Sequence, residues 1–346
     1  GLTVFRTDAE DLYVYELNPE NPKQYWHKGE WLTFKEINES IPVKGMGNHE
    51  VVLQYSIHGP VTFVDKKRNR AYAVKCGWLE IGGSPYLASL RMNQSQSWEE
   101  FREACSYSHI PGENMVWADK EGTIGWQAVG IAPIRNTHSG LVPVLGDGSY
   151  EWDGYLPIKE KPHVVNPSDG FFASANQNVT PASYKHWNAI GFSWSDPYRG
   201  DRVNSVLSKN SSHKFTMQEM IDLQVDYHSL PSEQLIKMID HNQLDSTHKN
   251  YFEKLLTWDN KLATTSVEAT IYVNWERTII REFHKKYVPD NVKGMLKIQL
   301  FKIIDNIKRL AVKERDEFLI NTFVTSINEL KSKLGTETSK WVYGQS

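Results

Sequence analysis

Two clusters in this chain have residue types and spacing suited to chemistry. Asn176 stands in the run from Ala175 to Asn178, and Arg202 closes the run that begins at Pro197. An asparagine amide donates two hydrogen bonds without adding charge, which suits an oxygen that gains negative charge in a transition state. Arginine offers a planar fork that holds an amide oxygen or a carboxylate in place. The second cluster is Asp8, Glu10 and Asp11. Acidic side chains this close repel one another unless something cationic offsets them. Calcium does so by taking carboxylate and main-chain oxygens together. Each cluster also has a plainer reading. The first suits an Asn-rich turn and a helix start with ordinary ion pairs. The second suits a solvated acidic turn or a helix N-terminus, and its spacing does not fit an EF-hand loop.

Other constellations are missing from the sequence. It has no Gly-x-Ser-x-Gly elbow, phosphate-binding loop, His-Glu-x-x-His pair or dinucleotide fingerprint. His58, in the run His58-Gly59-Pro60, reads as a turn residue rather than a base. Cys76 and Cys105 form no disulfide framework and no metal-finger spacing, and they pair once or stay free. A net charge of −3 argues against nucleic acid, which needs a basic face. No apolar run is long enough to cross a bilayer. Twelve tryptophans imply a large aromatic core or an aromatic-lined pocket.

The elements that must position these residues change character along the chain. Residues 50–57, 61–64 and 70–75 read as a meander of short antiparallel strands. A helix is predicted over about 97–107, with Ser97 as N-cap and Glu100 at the capping-box position. Residues 116–119 and 123–127 flank a turn and predict a hairpin. The Pro- and Gly-rich stretch 132–170 reads as loop with short strands. Beyond about residue 200 the apolar period becomes helical, over 202–207, 216–224, 231–242, 247–257, 266–287 and 294–334. The expected class is α+β, with a β-rich portion over 1–204 and a helical region over 205–346.

Taken together, these pieces resemble the penicillin acylase family of N-terminal nucleophile hydrolases. The similarity runs through most of the chain. It includes Gly1 to Thr3 with Asp8 to Tyr13, Tyr25 to Trp31, His58 to Val61, and Asn114 to Asp119 with Gly122 and Gly125. Pro143 to Gly146, Trp152 to Gly154, Pro157 and Asn166-Pro167 follow in family order, then Asn176, Arg202, Leu223 to Asp226 and Trp258-Asp259.

The resemblance implies part of a four-layer αββα fold, and an enzyme that removes an acyl group from a small amide. The substrate would be of β-lactam, acyl-homoserine-lactone or lipopeptide type. A precursor cuts itself and exposes a serine as first residue of the large subunit, and the α-amino group of that serine serves as base. By position, the backbone N–H of Val4 and the side chain of Asn176 form the oxyanion hole, and Arg202 supports them. Arg6, Glu113 and Met115 fall near the acyl pocket. Two charges there disfavour a purely aromatic acyl group. A structural calcium would take the Asp8 and Asp11 side chains and main-chain oxygens of Glu10 and Gly140. One acidic ligand of the family has no counterpart in residues 181–187, and another comes from the small subunit. No organic cofactor is implied.

No residue matches the nucleophile, and Gly1 has neither hydroxyl nor thiol. Both ends read as cut from something longer. The expectation is an internal stretch of the large subunit, silent alone and completed by the small subunit and the remaining large-subunit segments, in the periplasm or outside the cell. Two rival readings are a binding or scaffold relative that has lost its nucleophile, and a stand-alone enzyme using Cys76 or Cys105.

Overall fold

The computed structural model describes residues 1–84, 86–209 and 213–345. The chain divides into two compact units, Gly1–Ser195 and Asp196–Ser346. All the strands lie in the first. They are β1 (Glu10–Glu16), β2 (Gln24–His27), β3 (Glu30–Thr33), β4 (Lys35–Val43), β5 (Gly47–Ser56), β6 (Gly59–Asp65), β7 (Arg70–Cys76), β8 (Asn114–Ala118), β9 (Ile124–Ala128), β10 (Val144–Leu145) and β11 (His163–Val165). Six form one sheet in the order β10-β1-β7-β6-β5-β4, three form a second in the order β11-β9-β8, and β2 pairs with β3. Both sheets and helices are substantial, so the class is α+β.

The acidic cluster enters a strand. In β1 the alternation of a pleated chain puts Asp11, Tyr13 and Tyr15 on the buried face. Neither the solvated turn nor the helix N-terminus describes Asp11. Its two aromatic strand-mates pack with Leu17, Tyr25, Phe34, Ala71, Ala73 and Val144. The meander expected at 50–75 is present as β5, β6 and β7. It is preceded by β4, which pairs with β5 from Lys35↔Tyr55 to Val43↔Gly47. That strand has no clean alternation because most of its side chains are exposed on both faces.

Three short helices complete the first unit, α1 (Ala88–Met92), α2 (Trp98–Cys105) and α3 (Trp187–Ile190). Ser97 caps α2 by accepting from the Glu100 N–H, as its spacing predicts. The second unit holds α4 (Tyr198–Leu207), α5 (Met217–Gln224), α6 (Leu230–Met238), α7 (Ser246–Leu256), α8 (Val267–Tyr287), α9 (Leu300–Arg309) and α10 (Val312–Leu334). Thr216 and Glu219 form a full capping box at α5. Helices α8 and α10 run antiparallel, tied at one end by Asn274 to Ser326 and at the other by Lys286 to Glu314. Trp275, Phe252 and Phe323 meet edge to face in their core.

The run 294–334 is not one helical stretch. Residues 294–299 are not helical, and the helix breaks at Leu310 and Ala311, both extended. No proline or glycine marks that break. Packing decides it, because Ile303, Ile304 and Ile307 turn into the same core as Phe318, Leu319 and Phe323.

Candidate active site

The first residues of the chain lie against the start of β8. Phe5 N–H donates to Gly112 O at 3.1 Å and Asn114 N–H donates to Thr3 O at 3.0 Å. Val4 sits between these rungs, opposite Glu113. In such a pair the N–H and C=O point away from the partner strand. The Val4 N–H therefore has no acceptor among the described residues. The Val4 carbonyl accepts from Asn176 Nδ2 at 3.4 Å. So Val4 and Asn176, distant in sequence, share one place.

A polar clamp holds them there. Asn114 Nδ2 reaches Thr3 Oγ1 at 3.2 Å and Ser174 Oγ at 3.1 Å, while Asn114 Oδ1 accepts from Trp126 Nε1 at 2.8 Å. Gln177, itself buried, accepts from the Ala175 N–H at 2.6 Å. Asn176 is left-handed, with φ of 72°, a conformation asparagine tolerates better than most residues. Beneath the segment, Phe5 packs edge-on against Trp194 at 5.1 Å, and Trp126 stacks on Phe172.

A cavity of about 280 Å³ opens beside this segment, lined by residues 4–9 with Trp78, His109, Gly112, Gly130, Ile131 and Ser193. Of the three residues expected at the acyl pocket, Arg6 lines this cavity. Glu113 is buried, and burial raises its carboxyl above the usual range. Its side chain makes no hydrogen bond or ion pair with any described residue, Arg6 included. Met115 packs against the Trp98, Phe101 and Val129 cluster, because successive residues of β8 face opposite sides and Asn114 takes the clamp side.

Lys161 lies behind the same wall, fully buried. Its amine contacts Thr7 Oγ1 at 2.5 Å and donates to Val129 O at 2.8 Å and Gly130 O at 2.9 Å. Burial holds it well below the ordinary lysine range. The three oxygens take the amine's N–H groups, so the buried nitrogen is fully hydrogen-bonded.

The groups expected to hold calcium do meet, and a guanidinium stands among them. Arg135 has a fully buried side chain. Its Nε donates to Asp11 Oδ2 at 2.7 Å, and its Nη2 reaches Asp8 O at 3.0 Å and Glu10 O at 3.4 Å. Its Nη1 donates to Asn188 O at 3.1 Å. His138 Nε2 at 3.2 Å and Trp152 Nε1 at 2.5 Å share the same Asp11 oxygen. Gly140 packs on the guanidinium, where an added Cβ would lie 3.0 Å from Arg135 Cζ. Asp11 Oδ1 is buried without a donor. Among the described residues, no three His, Cys, Asp or Glu side chains are grouped to hold a metal ion. As it stands the donor set does not fit calcium, which takes six to eight oxygens.

In the second unit, Arg202 lies on α4 and forks onto Asp226 Oδ2 at 2.6 and 3.1 Å. Burial pushes that carboxyl up, but Arg202 and the His228 N–H outweigh it and hold it below its usual range. Both cysteines are free thiols. Burial pushes Cys105 up to about 12 and also raises Cys76, which leaves neither a ready nucleophile. His58 is a turn residue with a buried ring. It stacks on Tyr13 at 3.7 Å and joins Glu151 at 2.9 Å and the Tyr15 hydroxyl.

The family model described as penicillin amidase matches residues 1–346. The chain belongs to the penicillin amidase family. Penicillin G acylase of Escherichia coli is 27% identical over 210 residues, which are 60% of this chain and 25% of that protein. Acyl-homoserine lactone acylase QuiP of Pseudomonas aeruginosa is 26% identical over 304 residues, 79% of this chain and 35% of that protein. The chain thus spans about a quarter to a third of these curated relatives. A thermostable penicillin G acylase from Alcaligenes faecalis has the same fold, with a TM-score of 0.82 at 23% identity over 99% of this chain and 68% of that one.

Within this family member, sequence reasoning missed Arg135, His138 and Lys161. No motif marks them, and a lone arginine or lysine in a loop-rich stretch reads as a surface charge. Asn114 and Trp152 were visible as family landmarks, but their hydrogen-bonding parts were not. Among the described residues no helix is long and apolar enough to cross a membrane.

Proposed function

We propose that this chain is the oxyanion-bearing part of an acylase that hydrolyses a small N-acyl amide. The observation that carries the reading is the open Val4 N–H beside the Asn176 amide. Two donors converging at one point suit a tetrahedral oxyanion. The nucleophile is a serine outside these 346 residues, freed as the first residue of the large subunit when a precursor is cut. Its hydroxyl oxygen bonds to the amide carbonyl carbon as its α-amino group takes the proton. That amine has an ordinary pKa of about 8, close enough to neutral to act as base. The carbonyl π pair moves to oxygen, where the Val4 N–H and Asn176 Nδ2 receive the charge. Collapse breaks the C–N bond, and the α-ammonium returns the proton to the leaving amine. Water then releases the acid by the same steps.

A small subunit and the remaining large-subunit segments are the partners in this reading. Export from the cytoplasm belongs to the same proposal and rests on the family alone, as does the supporting role of Arg202.

The test uses the full-length, processed protein. Asn176→Ala should lower turnover by about 100- to 1000-fold while precursor cleavage proceeds and the melting temperature falls by only a few degrees, the strain of a left-handed alanine. Full retention of amide cleavage would overturn the reading. The buried, unpaired Glu113 next to Val4 sharpens the substrate side. Apolar aromatic acyl groups gain nothing from a carboxyl there, so aliphatic or polar acyl amides should exceed phenylacetyl amides in kcat/KM. A phenylacetyl amide leading the series would remove that preference.

A further inference from the structure

We infer that Arg135 is the resident cation of the Asp8–Asp11 cluster, and that this chain assembles the segment without calcium. The inference stands apart from amide hydrolysis and needs no reaction.

The first argument is occupancy of donors. Three of the four groups that a calcium ion would take from this chain face the guanidinium. Asp11 meets it through Oδ2 at 2.7 Å, Asp8 through its main-chain oxygen at 3.0 Å and Oδ1 at 3.5 Å, and Glu10 through its main-chain oxygen at 3.4 Å. Gly140, the fourth, lies so close to the guanidinium that even a methyl group would crowd it. Arginine's planar fork suits this spread of acceptors, since its five N–H donors point outward in fixed directions.

The second argument is charge. The Arg135 side chain is 0% exposed and that of Asp11 is 1% exposed, so the pair is screened by little water. One guanidinium against the Asp8 and Asp11 carboxylates leaves one formal negative charge, and Asp11 spreads its share by also accepting from His138 and Trp152. A divalent ion on the same oxygens would sit in contact range of a buried positive charge. Two like charges at such range repel strongly in a poorly polarisable site. The ion could enter only if the guanidinium left these oxygens.

The third argument is ligand count. Residues 179–190 contain no Asp or Glu. In that stretch the chain instead offers backbone, and the two carbonyls that meet the cluster are already engaged. Asn188 O accepts from Arg135, and Ile190 O accepts from the Asp8 N–H at 3.0 Å. Asp11 Oδ1 is the one buried side-chain acceptor of the cluster without a donor, where calcium takes six to eight oxygens.

The experiment needs the full-length protein and no assay of activity. Bound metal is measured after gel filtration from a calcium-containing buffer, and melting temperature is followed with excess EDTA and with excess calcium. The expected result is no calcium that depends on Asp11, and the same melting temperature in both buffers. Arg135→Met should lower it by about 10 °C in either buffer, because it leaves a buried carboxylate unpaired. Stoichiometric calcium that disappears in Asp11→Leu, with a wild-type melting temperature that falls in EDTA, would overturn the inference. Calcium that persists in Asp11→Leu, which has no side-chain oxygen, lies elsewhere and leaves it standing. If Arg135→Met does not fold, the wild-type metal analysis and EDTA melts still decide.

Discussion

The first eleven residues hold two polar places built on opposite principles. Around Asp8 and Asp11 nearly every charge and carbonyl is engaged, and Arg135 closes the set. Around Val4 and Asn176, a few residues away, a backbone N–H faces no acceptor. The first arrangement leaves one buried side-chain acceptor, Asp11 Oδ1, without a donor and serves to hold the chain. The second is held from behind by Asn114, Ser174 and Gln177 and keeps its front open. Groups that will stabilise a passing charge must be fixed by neighbours but not satisfied by them.

Substitutions can break that contrast, beginning with the largest effect. Arg135→Met should lower stability by about 3–5 kcal/mol, the usual result of stranding a buried charge. Chemical denaturation measures it, and a loss under about 1 kcal/mol would mean that Asp11 finds another partner. Asn176→Ala should do the reverse. It should raise the barrier by about 2.7–4 kcal/mol and cost only about 1 kcal/mol of stability, the strain of a left-handed alanine. If both variants lost stability alike, the two places would not differ in kind.

Gly140→Ala is a gentler probe of the closed place. Residue 140 has φ of 76°, and an added Cβ would stand 3.0 Å from the guanidinium and 3.2 Å from Asp11 Oδ1. Strain and crowding together should cost about 1–3 kcal/mol. Combined with Arg135→Met, most of the crowding part should vanish, which a double-mutant cycle reads directly.

Lys161 lies between the two places through Thr7, and its effect is a slope. Burial holds its amine below the ordinary range. Between the folded and unfolded pKa values the unfolded chain carries a proton that the folded chain lacks, so stability rises with pH there. The window closes above about pH 10.4, where both states are neutral. Lys161→Met should therefore flatten stability against pH, removing a slope of up to about 1.4 kcal/mol per pH unit. Parallel curves for the two proteins from pH 7 to 10 would show that the amine is charged in the fold.

Much of the fold was legible because its signals are local. Ser97 with Glu100 and Thr216 with Glu219 cap the helices their spacing announces, since a cap needs only neighbours three residues away. The β8–β9 hairpin lies where Lys120 to Gly122 turn the chain. The break at Leu310 was not legible, because it answers to a core shared by distant helices. At the site, Val4, Asn176 and Asp11 were named from family pattern, whereas Arg135 and Lys161 were not. A buried charge is indistinguishable in sequence from a surface one until its partners are brought to it.

The sequence by itself determined the α+β class, the starts of α2 and of α5 to α8, the family, and the residues around which a site had to be sought. These follow from periodicity, capping and ordered motifs, all read along the chain. Tertiary structure decided what those residues do to one another. It turned the acidic cluster into one face of a strand and set Arg135 against it from 124 residues away. It left the Val4 N–H open by placing Val4 in a bridge whose flanking residues make the hydrogen bonds. Hydrogen bonds and ion pairs act over a few ångströms of space, and only the fold decides which residues come within them.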